Sequence, residues 1–170
     1  MILSEKEGCM FDAPKLFTLI HATNREFLET GRNGSETAKR LDAESHITKR
    51  RWNDNGCCMY TPAYGESRGV FSLVFDGFTV TDDEIGLALS ELCTLCASVN
   101  IYHLAFDIDI LSNKGIDYGR LKNMLYQRFC NHNINMTAYY KSYEQLVRAT
   151  GDYTEDYISL ELQQRRDMYF

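Results

Sequence analysis

The sequence predicts an α+β fold: a small antiparallel sheet of about three strands packed against several helices, with a helical C-terminal third. Three observations carry that expectation. Val70, Phe71, Leu73, Val74 and Phe75 form an apolar, β-prone run, and Phe78, Thr79 and Val80 resume it after Asp76-Gly77. That dipeptide is turn chemistry, because glycine tolerates positive φ and aspartate bonds its own backbone. From Thr81 the apolar period lengthens from two to 3.6, and it does so again in three segments after residue 116.

In chain order, residues 1–11 read as a lead-in that frays. Asp12 before Ala13-Pro14 suits a helix start, with Leu16, Phe17, Ile20, Asn24, Phe27 and Leu28 on one side and Thr30-Gly31 as its stop. Ser35 caps a more polar helix with Ala38, Leu41 and Ile47 as a thin apolar side. Lys49-Arg50-Arg51 reads as a solvated helix end rather than a phosphate contact, since three basic residues make a weak nucleic-acid signal. Asn53-Asp54-Asn55-Gly56 is hairpin-turn chemistry, and Cys57 to Thr61 is a strand stopped by Pro62.

Thr81 and Glu84 are spaced to cap each other's amides, Val80 and Ile85 form a hydrophobic staple, and Asp82, Asp83 and Glu84 suit the positive end of the dipole. Ile85, Leu89, Leu92, Cys96 and Val99 then line the buried side of a long helix. Residues 101–111 fit two readings. Tyr102, Leu104, Phe106, Ile108 and Ile110 alternate as in a strand, while Ile101, Leu104, Ala105, Ile108 and Leu111 fit a helix face. Helices are expected from Asp117 to about Asn131, over 137–149, and from a capping box at Asp152 and Glu155 onward.

One domain spanning 1–170 is expected at this length. A net charge of −6 argues against direct nucleic-acid binding, which needs a cationic footprint. No run of 18 apolar residues and no secretory leader is visible, so a cytoplasmic chain with reduced thiols is expected, without a membrane partner. Cys93-x-x-Cys96 lies late in a helix and on its apolar face, which fits space-filling thiols better than a redox pair or zinc site. Cys57-Cys58 with His103 would need a spatial meeting to act as nucleophile and base. Cys130-x-His132 has no partner pair. Asp107 and Asp109 suit a solvated edge better than a metal site, which wants more oxygen ligands. No GxGxxG, P-loop, HExxH or GxSxG motif occurs, so no catalytic residue, metal or cofactor is expected. A tyrosine and acid surface comprising Tyr139, Tyr140, Tyr143, Glu144, Asp152, Tyr153, Glu155, Asp156 and Tyr157 is the candidate partner contact, because tyrosine is enriched at protein interfaces.

From Trp52 onward the chain resembles the KlcA/ArdB antirestriction family. The matching residues are Trp52, Asn55-Gly56, Pro62, Asp76-Gly77, Asp83, Gly86, Tyr102-His103 and Asp107. The resemblance implies a plasmid or phage protein of the bacterial cytoplasm that inhibits type I restriction by contacting a host-defence complex, without enzymatic chemistry. It also implies that residues 102–107 are helical. An anti-CRISPR protein, a Cys/His-dependent enzyme and a phage structural or assembly protein are the alternatives.

Overall fold

The computed structural model describes residues 1–24, 37, 39–41, 57–63, 65 and 68–150. Among the described residues six strands form one mixed sheet: β1 (Ile2–Glu7), β2 (Thr18–Thr23), β3 (Cys58–Thr61), β4 (Val70–Val74), β5 (His103–Asp107) and β6 (Asn135–Tyr140), in the spatial order β1-β6-β5-β2-β4-β3. Every neighbouring pair is parallel except β3 with β4. Helices α1 (Asp82–Val99), α2 (Tyr118–Phe129) and α3 (Tyr143–Ala149) follow β4, β5 and β6. The expected small antiparallel sheet with a helical C-terminal third is therefore corrected to a mixed α/β sheet in which only the β3–β4 ribbon is antiparallel.

The long helix forms as its sequence demands. Thr81 Oγ1 accepts from the Glu84 amide at 3.2 Å, Val80 and Ile85 are buried, and Asn100 ends the helix in the left-handed region at φ 55°. Asp117 caps α2 in the same way, accepting from the Arg120 amide at 2.8 Å. Both helices lie on one side of the sheet and, together with Ile20, Ala22, Phe71, Leu73, Leu104, Phe106, Met136 and Ala138, make the larger core. Leu19, Val70, Ala105 and Tyr139 face the opposite side, where Met10, Phe11, Ala13 and Leu41 cover them. Among the described residues no helix is long and apolar enough to cross a membrane.

Five segments differ from the sequence reading. Residues 18–23 are a strand, not part of a helix from Pro14. All six are buried, as a central parallel strand covered on both faces must be, and such a strand shows no alternation for a period to detect. Residues 103–107 are a strand, not helix; of the two periods this stretch carries, the alternating one prevails because parallel pairing to both β2 and β6 fills its backbone bonds. Residues 135–140 are a strand, so the expected helix at 137–149 shrinks to 143–149, begun by Ser142, whose hydroxyl accepts from the Gln145 amide at 3.1 Å. Residues 2–7 are an edge strand rather than a lead-in. Phe78 to Val80, expected as a strand, is irregular, with a bend over 77–79. The expected helix from Ser35, the basic run at 49–51, the turn at 53–56 and the last helix fall wholly or mostly outside the described residues.

Candidate functional site

Sheet order places the site. From β2 the chain runs out to the β3 edge and back through β4, then α1 carries it over β2 to β5 and β6. A crevice opens outside the carboxyl ends of parallel strands where the order reverses in this way. The residues at that rim are Thr23 and Asn24 at the end of β2, Phe75 after β4, Asp107 at the end of β5, Lys141 after β6, and the turn at Cys9–Asp12 after β1. Phe75 N donates to Thr23 O at 2.8 Å, which fixes the β2 and β4 ends side by side.

Asp107 ties two of these ends together. Its Oδ1 accepts from the Met10 amide at 2.8 Å, holding the 3-10 turn Met10–Asp12 against the end of β5. Gly8 makes the approach to that turn: its φ is 133°, and a Cβ there would lie 2.9 Å from Asp12 Oδ2. Asp12 in turn accepts from the Cys9 amide at 2.9 Å. Arg40 reaches the same place, with its guanidinium carbon 4.0 Å from the centre of the Phe11 ring and Nη1 3.6 Å from Cys9 Sγ. Burial pushes the Asp107 carboxyl up to about 6; the Met10 amide, Lys141 and Arg40 pull against that, while Asp109 adds to it.

This carboxylate therefore costs stability when charged. Between the ordinary value of 3.8 and about 6, the folded protein binds a proton that the unfolded chain does not, so stability attributable to this group falls as pH rises. Asp107→Asn keeps an oxygen for the Met10 amide and removes the charge. Its expected gain is on the order of 2 kcal/mol at pH 7.5, shrinking towards zero at about pH 4. Urea unfolding of both proteins across that range checks it; a pH-independent difference would contradict this account.

A cleft of about 500 Å³ lies between the β5–α2 loop and α3. Among the described residues, Asp109, Asp117 and Glu144 line it against Arg148 alone, and Arg148 Nη2 already pairs with Glu144 at 2.5 Å. The helix N-termini at its wall are closed by their own Asp117 and Ser142 side chains. It is a poor seat for a phosphate, whereas the rim around Asp107 has Arg40 and Lys141 at hand.

The other expected residues fall elsewhere. His103, on β5, packs its ring 5.2 Å from that of Phe17 and lies three strand positions from Cys57 and Cys58 at β3, so this imidazole does not meet those thiols. Burial raises the Cys58 thiol strongly and the Cys96 thiol to about 12, which makes both poor nucleophiles. Among the described residues no three His, Cys, Asp or Glu side chains are grouped to hold a metal ion. Of the tyrosine surface, Tyr139 is buried and faces the core, Tyr140 is half-buried, Tyr143 is 60% exposed and Glu144 pairs with Arg148. Asp152, Tyr153, Glu155, Asp156 and Tyr157 lie outside the described residues, as do Trp52, Asn55 and Gly56. Pro62 follows β3, Asp76-Gly77 follow β4, Asp83 and Gly86 are in α1, and exposed Tyr102 precedes His103 and Asp107 on β5. A His21–Ser72 pair, missed in the sequence, joins β2 to β4 with Nε2 and Oγ 2.5 Å apart; both residues are buried, so it braces the sheet.

No protein-family model and no curated protein matches the sequence. Solved structures do match it. The macrodomain of Mycobacterium tuberculosis DarG superposes with a TM-score of 0.64 at 15% identity, covering 83% of this chain and 99% of that one. The Trypanosoma brucei macrodomain in complex with ADP-ribose gives 0.65 at 13% identity over 87% and 67%. Thermosipho africanus DarTG in complex with ADP-ribose gives 0.59 at 15% identity over 82% and 41%. The chain thus has the macrodomain fold. The KlcA/ArdB resemblance is overturned, and with it the antirestriction and anti-CRISPR expectations: an Asp-Gly turn and a capped helix recur in many folds, and here Asp76-Gly77 and α1 connect β4 to β5, two strands parallel to β2.

Proposed function

We propose that the chain binds ADP-ribose, or a closely related adenine nucleotide, across the carboxyl ends of β2, β5 and β6. The observation that carries this reading is the strand-order reversal, which brings the strand ends at Asn24 and Asp107 to one rim in a fold whose Trypanosoma neighbour was solved with ADP-ribose and with ADP. The site chemistry supports it. Backbone and carboxylate acceptors meet ribose hydroxyls or an amino group, and Arg40 and Lys141 supply positive charge for phosphate.

Calorimetric titration of the full chain with ADP-ribose is expected to show saturable one-to-one binding. Asn24→Ala is expected to weaken it about tenfold, the loss of one good hydrogen bond. Absence of binding to the wild-type chain at about 1 mM ligand, where even a weak site fills, would refute the proposal.

A further inference from the structure

We infer that nucleotide binding takes up a proton at Asp107, because the incoming phosphates draw on the same two cations that stabilise this carboxylate in the free protein. The inference rests on the binding reading above. The fold places both cations. Tyr139 lies opposite Asp107 in the β5–β6 register, its carbonyl accepting from the Ile108 amide at 2.9 Å, and Lys141 stands two residues further on. The Lys141 amide donates to Gln145 Oε1 at 2.6 Å, which ties that position to the first turn of α3. Arg40 comes from the other direction. Its guanidinium carbon lies 4.0 Å from the centre of the Phe11 ring, and Phe11 follows Met10, whose amide Asp107 Oδ1 holds.

Among the described residues, Lys141 and Arg40 favour the charged form of Asp107, and Asp109 opposes it. The other ionisable groups of this rim are Cys9 and Asp12 on the turn after β1, Tyr139 on β6 and Arg68 before β4. The Cys9 amide holds the Asp12 carboxyl below its ordinary value, and burial pushes the Tyr139 hydroxyl up, so near pH 7 the one stays charged and the other neutral. A phosphate arriving at Arg40 and Lys141 makes charge-assisted bonds with both, bidentate in the case of arginine. Asp107 then keeps its burial and the Asp109 charge, shares its two cations, and gains negative charge beside it. Each change favours the protonated acid. That form still accepts from the Met10 amide through one oxygen and can donate from the other. Burial already holds this carboxyl at about 6, so a small further rise carries it into neutral pH. The complex therefore holds a proton that the free protein at pH 7 mostly lacks, and affinity falls as pH rises.

The test is calorimetric titration of the full chain and Asp107→Asn with ADP-ribose, in two phosphate-free buffers of different ionisation enthalpy. ADP-ribose is the probe because its two phosphates are each doubly linked and exchange no proton near neutral pH, whereas a terminal phosphate titrates at about 6. The full chain is expected to take up about half a proton per ligand at pH 7, and to bind about tenfold tighter at pH 6 than at pH 8. Asp107→Asn is expected to take up none, to hold its affinity within about twofold over that range, and to bind about tenfold tighter than wild type at pH 8. Binding by the wild-type chain without proton uptake, or uptake that persists in Asp107→Asn, overturns the inference and leaves the binding reading standing. A wild-type chain that does not bind ADP-ribose at either pH overturns both.

Discussion

Gly119→Ala is expected to destabilise the protein by about 3 kcal/mol, the upper end for overpacking, which at this chain length lowers Tm by roughly 6–12 °C. A Cβ at Gly119 in α2 would lie 1.7 Å from Thr150 O and 2.5 Å from Thr150 C. Those are backbone atoms, and Thr150 is itself fixed as the cap of α3, its amide bonded to Leu146 O. The side chain cannot be accommodated by a rotamer change; α3 must move off α2. Gly86→Ala in α1 is the contrasting case. Its Cβ would meet Arg128 Nη2 at 2.6 Å, the far end of a flexible side chain that can swing away. Removing glycine from a helix interior gains about 0.5–1 kcal/mol, so this variant is expected to unfold within about 0.5 kcal/mol of wild type once the disturbed Arg128 contact is counted. Urea unfolding of both proteins separates the two outcomes, and similar losses at both sites would contradict the packing argument.

Glu91→Ala is expected to cost about 2 kcal/mol and to loosen the β3 edge. One carboxylate oxygen of Glu91, on α1, accepts from the amides of Cys57 and Cys58 at 2.7 and 2.8 Å. These bonds hold the start of β3 beneath the helix, beside the Val74 amide bonded to Cys57 O at 2.8 Å. Hydrogen bonds to a charged group contribute about 1.5–3 kcal/mol each, and water reaching the half-buried amides recovers part of that loss. Glu91→Gln retains an acceptor and should lose about half as much. Hydrogen exchange at residues 57–61 reads the effect locally; protection there unchanged in Glu91→Ala would remove the clamp from this account.

Parts of this architecture were legible in the sequence. Thr81 with Glu84, the stripe from Ile85 to Cys96, and Asp117 ahead of Leu121 and Leu125 are local signals, and local hydrogen bonds answer them; Val99, expected on that stripe, is exposed. The strand Val70–Val74 was legible for the same reason. The parallel strands were not. Thr18 to Thr23 is buried on both faces, so its apolar positions mimic a helix side as well as a strand. Tyr139 and Tyr140 precede a true helix and share its spacing with Tyr143 and Leu146. Ser4, Glu5 and Lys6 look solvated, yet Glu5 accepts from Tyr118 Oη at 3.0 Å and pairs with Lys122 Nζ at 2.6 Å. The site was hidden more deeply. Met10, Asn24 and Asp107 carry no motif between them, and only strand order brings them to one rim.

The pairing of β1 with β6 sets an order of assembly. Ile2 lies opposite Asn135 although about 130 residues separate them in the chain. Closing so long a loop offers little reward until β5 has already recruited β6. The strand that leads this sheet in chain order is thus the last that can find its place in it, and until then the flank of β6 is an open template for any other extended segment.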